Sequence, residues 1–218
     1  MTRALRAALG DELARAGFEF GAARTAWRHH ADRVDVLQLP SFNRALADGL
    51  GITPFSFAAN LGCHLRYIPP WVPLRTDAAG RIRPAEHECH FRGALVPTLA
   101  RDRAADVIWS VAPDGANLAR CVDDLAQQLP AALAWFARFD APGAVLHILQ
   151  ESREQMPALW GFGAPGSPVR AYLSGYVALA FGDVACARAA LTEAVRSGCF
   201  ETCFTSVEAA LALRPAPT

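Results

Sequence analysis

The stretch Phe55-Ser-Phe-Ala-Ala-Asn-Leu-Gly-Cys-His-Leu-Arg-Tyr67 alternates between two kinds of residue over its whole length. Its odd-numbered positions are all apolar or aromatic, whereas Ser, Asn, His and Arg stand between them. Successive side chains of a β-strand point to opposite faces, so the pattern is typical of a half-buried antiparallel strand. It places Leu61 and Cys63 on the core face and His64 on the opposite face.

Other segments complete the predicted fold. Short β-like runs occupy residues 25–30, 33–39, 86–95 and 107–111. Asp114 is a candidate cap for a long helix that Pro130 should kink or end. We predict an α+β fold with an antiparallel sheet of about four or five strands, packed by helices on one face. The apolar stripes of two such helices are Leu5, Leu9 and Leu13 in the first, and Leu118, Val122, Leu125 and Leu129 in the second.

The C-terminal part of the sequence predicts a helical appendage. Residues 157–168 are rich in Gly and Pro, as a linker would be. After them, segments 169–181 and 184–195 form a predicted helical hairpin with Asp183 as the second cap, and a third helix follows at about 201–213. We therefore expect an α+β domain at 1–156, a linker at 157–168 and an appendage at 169–218. The helices of this appendage should dock on the sheet domain and bury their apolar residues, namely Leu173, Tyr176, Val177, Leu191 and Val195. The hairpin resembles one tetratricopeptide unit, but no second copy follows.

The charge balance restricts the class of partner. The 21 basic and 21 acidic residues cancel, so neither nucleic acid nor an anionic membrane is an expected partner. All basic residues are Arg, which excludes Schiff-base and P-loop lysine chemistry. The N-terminus has charged residues among its apolar ones, and no apolar run could span a bilayer. We expect a cytoplasmic protein with free thiols.

The run Pro84-Ala-Glu-His-Glu-Cys-His-Phe-Arg-Gly-Ala-Leu95 suggests zinc, together with Cys63 and His64. Strand alternation argues against it, because the ligands divide between two faces. We therefore predict no metal and interpret the thiols as small core residues. Residues 161–166 match G-x-G-x-x-G, but no buried strand precedes them, so a nucleotide is not expected. The sequence predicts no cofactor.

The polar face of the sheet is the predicted place for a ligand. If Cys89 and Phe91 face the core as Cys63 does, then one face carries the candidate binding residues His64, Arg66, Glu88, His90 and Arg92. Arg28 and His30 would join them if Trp27 is buried. Guanidinium groups there could hold a carboxylate or a phosphate. A solvated face with Arg–Glu pairs is the simpler interpretation, and we favour it.

The residues Glu88-Cys-His-Phe-Arg-Gly-Ala-Leu95 are similar to the E-C-H-x-R-G-x-L signature of the bacterial family named domain of unknown function 4304. The resemblance covers about residues 3–140. It includes the helix ending at Gly17, the segments around Trp27 and Trp109, and the strand beginning at Asn60. Family members often carry a second Arg where this chain has Ala94, which weakens an anion site there. The resemblance implies a fold and assigns no activity.

Two functional hypotheses follow from the sequence. The first is a non-catalytic protein-binding or interaction module, which pairs with a protein such as a toxin or a regulatory partner. It rests on the balanced charge and on the lack of any motif with catalytic spacing. The second is a domain that binds a small anion, or an enzyme, using His64, Arg66, His90 and Arg92. A clustered His with a shifted pKa in a cleft would favour the second.

Overall fold

The structure is a computed structural model, which describes residues 2–21, 24–99 and 107–213. Its elements in chain order are α1 (Thr2–Arg15), β1 (Glu19–Phe20), β2 (Thr25–His29), β3 (Arg33–Gln38), α2 (Arg44–Leu50), β4 (Phe57–Ala58), β5 (Asn60–Leu65), a 3₁₀ turn (Glu86–Glu88), β6 (Phe91–Ala94), β7 (Ile108–Trp109), α3 (Leu118–Gln127), α4 (Leu129–Ala137), α5 (Pro142–Glu151), α6 (Pro168–Ala180), α7 (Val184–Arg196) and α8 (Val207–Ala212).

Five strands form one antiparallel sheet in the order β1-β2-β3-β5-β6, and β4 pairs with β7 in a second, smaller sheet. The predicted α+β class with an antiparallel sheet is confirmed. Leu5, Leu9 and Leu13 of α1 pack into the same apolar core as Leu61 and Cys63 of β5. This core also takes in the apolar faces of α3 and α4, so helices cover one face of the main sheet.

The stretch that predicts the central strand differs from expectation in two ways. It divides at Ala59 into β4 and β5, because β4 pairs with β7 whereas β5 pairs with β3 and β6. Its second face is not solvated, since Ser56 and His64 are buried as fully as Leu61. The segment between β5 and β6 folds back over this face, which makes a second apolar cluster of Val34, Val36 and Cys89 with Trp27 and Ile82 against it.

The helices also refine the prediction. Helix α3 begins at Leu118, after Asn117, and the Asp114 carboxylate instead accepts a hydrogen bond from the backbone of Ala116 in the preceding turn. The long helix does end before Pro130, which lies in the first turn of α4, where its missing N–H costs nothing. Helices α2 and α5 were not predicted.

The C-terminal helices dock on the sheet domain, as predicted. The Tyr172 hydroxyl donates a hydrogen bond of 2.7 Å to the Pro69 carbonyl. Asp183 caps α7 by accepting from the Cys186 backbone N–H. The third helix begins at Val207, later than expected. Of the residues predicted to be buried, only Val195 is half-buried; the others lie in the core, namely Leu173, Tyr176, Val177 and Leu191.

The Gly/Pro-rich residues 157–168 contribute to the core. Leu159 and Phe162 are buried, and the backbone of Trp160 exchanges two hydrogen bonds with that of Arg92 at the edge of β6. One apolar cluster runs from Leu5 in α1 to Ala210 in α8. Within the described residues, the core therefore has no break at the expected linker. None of the described helices has both the length and the apolar character needed to cross a bilayer.

Candidate functional site

The two histidines of the predicted face come together. The rings of His64 and His90 stack with centroids 4.4 Å apart, and both side chains are almost fully buried. Burial lowers the pKa of His64 to about 4 and lowers the pKa of His90 well below its ordinary value. His90 Nδ1 accepts a hydrogen bond from the Leu65 backbone N–H. The pair is therefore neutral at pH 7 and closed to a ligand from solution.

Arg92 lies on the predicted face but pairs with Glu86, and not with Glu88, the acidic residue predicted for that face. Its Nε and Nη2 atoms donate to the two carboxylate oxygens of Glu86, at 2.6 and 3.2 Å. Glu88 instead accepts from the Ala85 backbone N–H, because the 3₁₀ turn redirects its side chain. Arg92 Cζ also lies 5.5 Å from the centre of the Trp160 ring. The Arg92 guanidinium is thus engaged within the chain.

Arg66 is less completely satisfied. Its Nη1 donates to the His30 carbonyl at 3.0 Å, and its Nε is buried without a hydrogen-bond partner in the described part of the chain. Both ring nitrogens of His29 are likewise buried without a hydrogen-bond partner among the described residues. Burial lowers the pKa of His29, and nearby Arg81 lowers it further. These atoms are enclosed, so they do not offer an open anion site.

The cysteines do not converge with the histidines. Cys63 belongs to the main core, whereas Cys89 lies on the other face of the sheet with Val34 and Val36. The expectation that Cys89 faces the same way as Cys63 is wrong, because β6 begins only at Phe91 and strand alternation does not extend back to Cys89. Burial raises the pKa of both thiols. Among residues 2–21, 24–99 and 107–213, no three His, Cys, Asp or Glu side chains are placed to hold a metal ion.

A charged cluster that the sequence analysis missed lies on the helix-packed face. Asp35 is fully buried and is the common partner of three basic side chains. Its Oδ2 accepts from Arg28 at 2.7 Å and contacts His30 Nε2 at 2.9 Å, and its Oδ1 accepts from Arg33 at 3.0 Å. Strand pairing explains the set, since Arg28 is directly opposite Asp35 across β2 and β3. Arg28 and His30 therefore do not join Arg66 on the other face.

The sequence does contain a signal for this cluster. An acidic residue between Val34 and Val36 in an inner strand needs a cationic partner when it is buried. Chemically, both Asp35 oxygens are occupied, so the carboxylate orients its neighbours. No described Ser, Thr or Cys side chain hydrogen-bonds to His30, so the cluster lacks the paired nucleophile and base of a hydrolase.

A separate cavity of about 480 Å³ opens between the end of α4 and the segment after α5. It is lined by Arg138, Ser152, Arg153, Glu154, Gln155, Ala158 and Leu159. Neither lining guanidinium forms a hydrogen bond or an ion pair with the rest of the described chain. The volume is in the range of small-molecule sites. None of the residues predicted for ligand binding contributes to it.

Comparisons of the chain with protein-family models, with curated proteins and with solved structures found no match. The resemblance to domain of unknown function 4304 therefore stays a prediction.

Proposed function

We propose that this chain is a non-catalytic protein-binding module whose partner-binding face is α2 with the loop that follows it. The observation that carries the proposal is the exposure of three large apolar side chains within ten residues. Leu46, Leu50 and Phe55 are 50%, 45% and 51% exposed. Leu46 and Leu50 are four residues apart in α2, so they share one side of the helix.

The way α2 is attached supports this choice. Ala47 is the only buried residue of the helix. Asn43 caps its start and Gly51, in the left-handed conformation, ends it, so both ends are well defined. A well-ended helix that presents leucines to water exposes apolar surface that a second protein could bury. The expected partner is a different protein with an apolar surface matching this helix face.

The alternative function, an anion site or active site at the predicted His/Arg face, has less support. His64 and His90 are buried and neutral, and Arg92 is bound to Glu86. A general base needs access to substrate and a pKa near the working pH. Neither histidine meets these conditions in this geometry.

A photo-crosslinking residue at position 50, expressed in the source cells, tests the proposal. We expect one discrete crosslinked protein that is lost when Leu46→Asp is added. The purified partner should then bind the wild-type chain and not Leu46→Asp, with unchanged thermal unfolding of the variant.

Val184 provides the matched control because it is also an apolar residue, is 54% exposed and is the first residue of α7. The same crosslinker at position 184 should not capture that protein. Identical products from both positions, or crosslinks only to a second copy of this chain, would contradict the proposal.

A further inference from the structure

The cavity between α4 and residues 152–159 is lined by two arginines and a single acidic residue, Glu154. Arg138 follows the last turn of α4, and Arg153 follows α5. Both side chains are exposed, and neither has a hydrogen-bond or ion-pair partner within the described residues. Several other arginines of the described chain, in contrast, form an ion pair with an acid, such as Arg92 with Glu86. Two guanidiniums without an ion-pair partner in the described chain therefore line the same cavity.

The acid in the cavity wall, Glu154, forms no ion pair with Arg138 or Arg153. Glu154 Oε1 accepts from the backbone N–H groups of Gly161 and Gly163, at 2.6 and 2.9 Å, so this carboxylate holds the loop in place. The glycines have φ of +95° and +80°, which other residues rarely adopt. The two glycines therefore favour the loop conformation in which their N–H groups bind Glu154.

A third guanidinium lies beneath the wall. Arg170 is buried, and its hydrogen bonds go only to carbonyl oxygens, including that of Ser152 at 2.8 Å. No carboxylate forms a salt bridge with it among the described residues. Burial lowers the pKa of Arg170, while the charge of Glu154 opposes this. An anion in the cavity would be attracted by these three guanidinium groups and repelled by the single Glu154 carboxylate, so the balance favours binding.

We propose that this cavity binds a small organic acid. Its carboxylate or phosphate group would contact Arg138 and Arg153, and its short carbon skeleton would lie against Ala158 and Leu159. Guanidinium groups match the planar oxygen pairs of such groups. This inference is independent of the partner-binding face on α2, which lies elsewhere in the sequence and uses none of these residues.

Titration of the full chain with inorganic phosphate, and separately with succinate, tests the proposal. The Nε–H signals of arginine in ¹H–¹⁵N NMR spectra report on each guanidinium. We expect the shifts of the Arg138 and Arg153 signals to saturate with at least one probe before its concentration reaches about 20 mM. A site with a dissociation constant of about 1 mM would be nearly full at that concentration. Saturation with phosphate alone assigns a phosphate ligand, and saturation with succinate assigns a carboxylate.

Variants Arg138→Gln and Arg153→Gln should each weaken binding about tenfold, the usual effect of losing one charged hydrogen bond. Arg120→Gln is the matched control, because Arg120 is also exposed and without a hydrogen-bond or ion-pair partner in the described chain. All three variants should keep the wild-type melting temperature. Shifts that stay linear with both probes, or equal weakening by Arg120→Gln, would overturn the proposal.

Discussion

The imidazole ring of His64 stacks on that of His90 beneath the segment joining β5 to β6, with 25° between the ring planes. His64 Nδ1 lies 3.4 Å from the Glu88 carbonyl, and the edge of Trp71 packs on His90 at a centroid distance of 5.6 Å. Trp71 in turn contacts Tyr172 of α6. The histidine pair thus connects the sheet to the C-terminal helices through contacts between aromatic rings. It is a buried packing element of the fold.

The first prediction concerns the pH dependence of stability. The pKa of His64 is lowered to about 4 in the fold, against 6.5 in an unfolded chain. Between these values the unfolded chain binds more protons, so the free energy of unfolding falls as the pH decreases. From pH 7 to pH 5 the His64 contribution should decrease by about 2 kcal/mol. Urea unfolding followed by circular dichroism at both pH values measures it.

The His64→Gln variant should lose the His64 share of this pH dependence, even if it is less stable at pH 7, whereas the buried His90, whose pKa is also lowered, should keep its own share. His147 is exposed on α5, so His147→Gln should keep the wild-type dependence. Equal slopes in all three proteins would show that His64 titrates normally in the fold.

The second prediction concerns the contact of Gly62 with Cys89. A Cβ atom at position 62 would lie 2.6 Å from Cys89 Sγ and 3.3 Å from the Glu86 backbone. Gly62→Ala should therefore reduce the free energy of unfolding by about 1–3 kcal/mol, the usual effect of overpacking. Chemical denaturation at pH 7 measures the change.

Cys89→Ala should recover part of that loss, because it removes the sulfur and leaves the longer contacts with Cβ of residue 89 and with the Glu86 backbone. A double-mutant cycle gives the coupling between the two positions. Gly49 in α2 is the control, since no atom lies within 4 Å of an added Cβ. Gly49→Ala should be neutral or stabilising. If Gly62→Ala behaved in the same way, the close packing over β5 would be contradicted.

The sequence predicts the parts of the fold that depend on local periodicity. The alternation around Leu61 and Cys63 identifies the core face of β5, and the four-residue spacing of Leu5, Leu9 and Leu13 identifies the buried stripe of α1. Gly182 and Asp183 mark the turn and cap of the last helical hairpin. In each case, residues that are close in sequence determine the local structure.

The facing of residues 84–90 could not be predicted in the same way. A three-residue 3₁₀ turn precedes β6, so strand alternation does not extend to Cys89 or Glu88. The burial of His64 depends on a loop that folds back from more than twenty residues away. Periodicity contains no information about such a contact. The cavity near Arg138 likewise depends on where α5 ends relative to α4, and sequence spacing does not reveal it.

The third prediction tests whether Arg92 is structural. Glu86 is buried, so Arg92→Ala leaves a carboxylate without its bidentate partner. Arg92 is 29% exposed, which admits some water, and we expect a loss of about 2–4 kcal/mol in the free energy of unfolding. Adding Glu86→Gln should recover part of the loss, because it removes the buried charge. Unchanged melting of Arg92→Ala combined with loss of ligand or partner binding would instead make this arginine part of a binding site.

The fourth prediction concerns residues 157–168. Phe162 packs on Phe91 with ring centroids 5.5 Å apart, and Arg170 binds the Gly163 carbonyl. Limited proteolysis under native conditions should therefore release no independently folded C-terminal fragment. If cleavage in this segment yielded a helical fragment that tumbles alone in solution, the continuous core would be contradicted.

The last prediction concerns Asp35, the centre of the charged cluster on the helix-packed face. Asp35→Asn keeps the shape of the side chain but leaves Arg28, His30 and Arg33 facing one another without their shared negative charge. Because Asp35 is fully buried, the loss in the free energy of unfolding should be about 3–5 kcal/mol.

Asp140 is the natural control, because it pairs with the same Arg33 at 2.6 Å yet is 63% exposed. Asp140→Asn should cost less than about 1 kcal/mol, as exposed pairs do. Arg28→Met should reduce the free energy of unfolding less in the Asp35→Asn variant than in the wild-type chain. In the variant it removes one of the cations left unpaired. Burial opposes the charge of Arg33, but the charge of Asp35 and its hydrogen bond raise the pKa of Arg33, which marks Asp35 as the stronger partner. If Asp35→Asn and Asp140→Asn reduced the free energy of unfolding equally, the exposed Asp140 carboxylate would balance the charge of Arg33 as much as Asp35 does, and this prediction would be wrong.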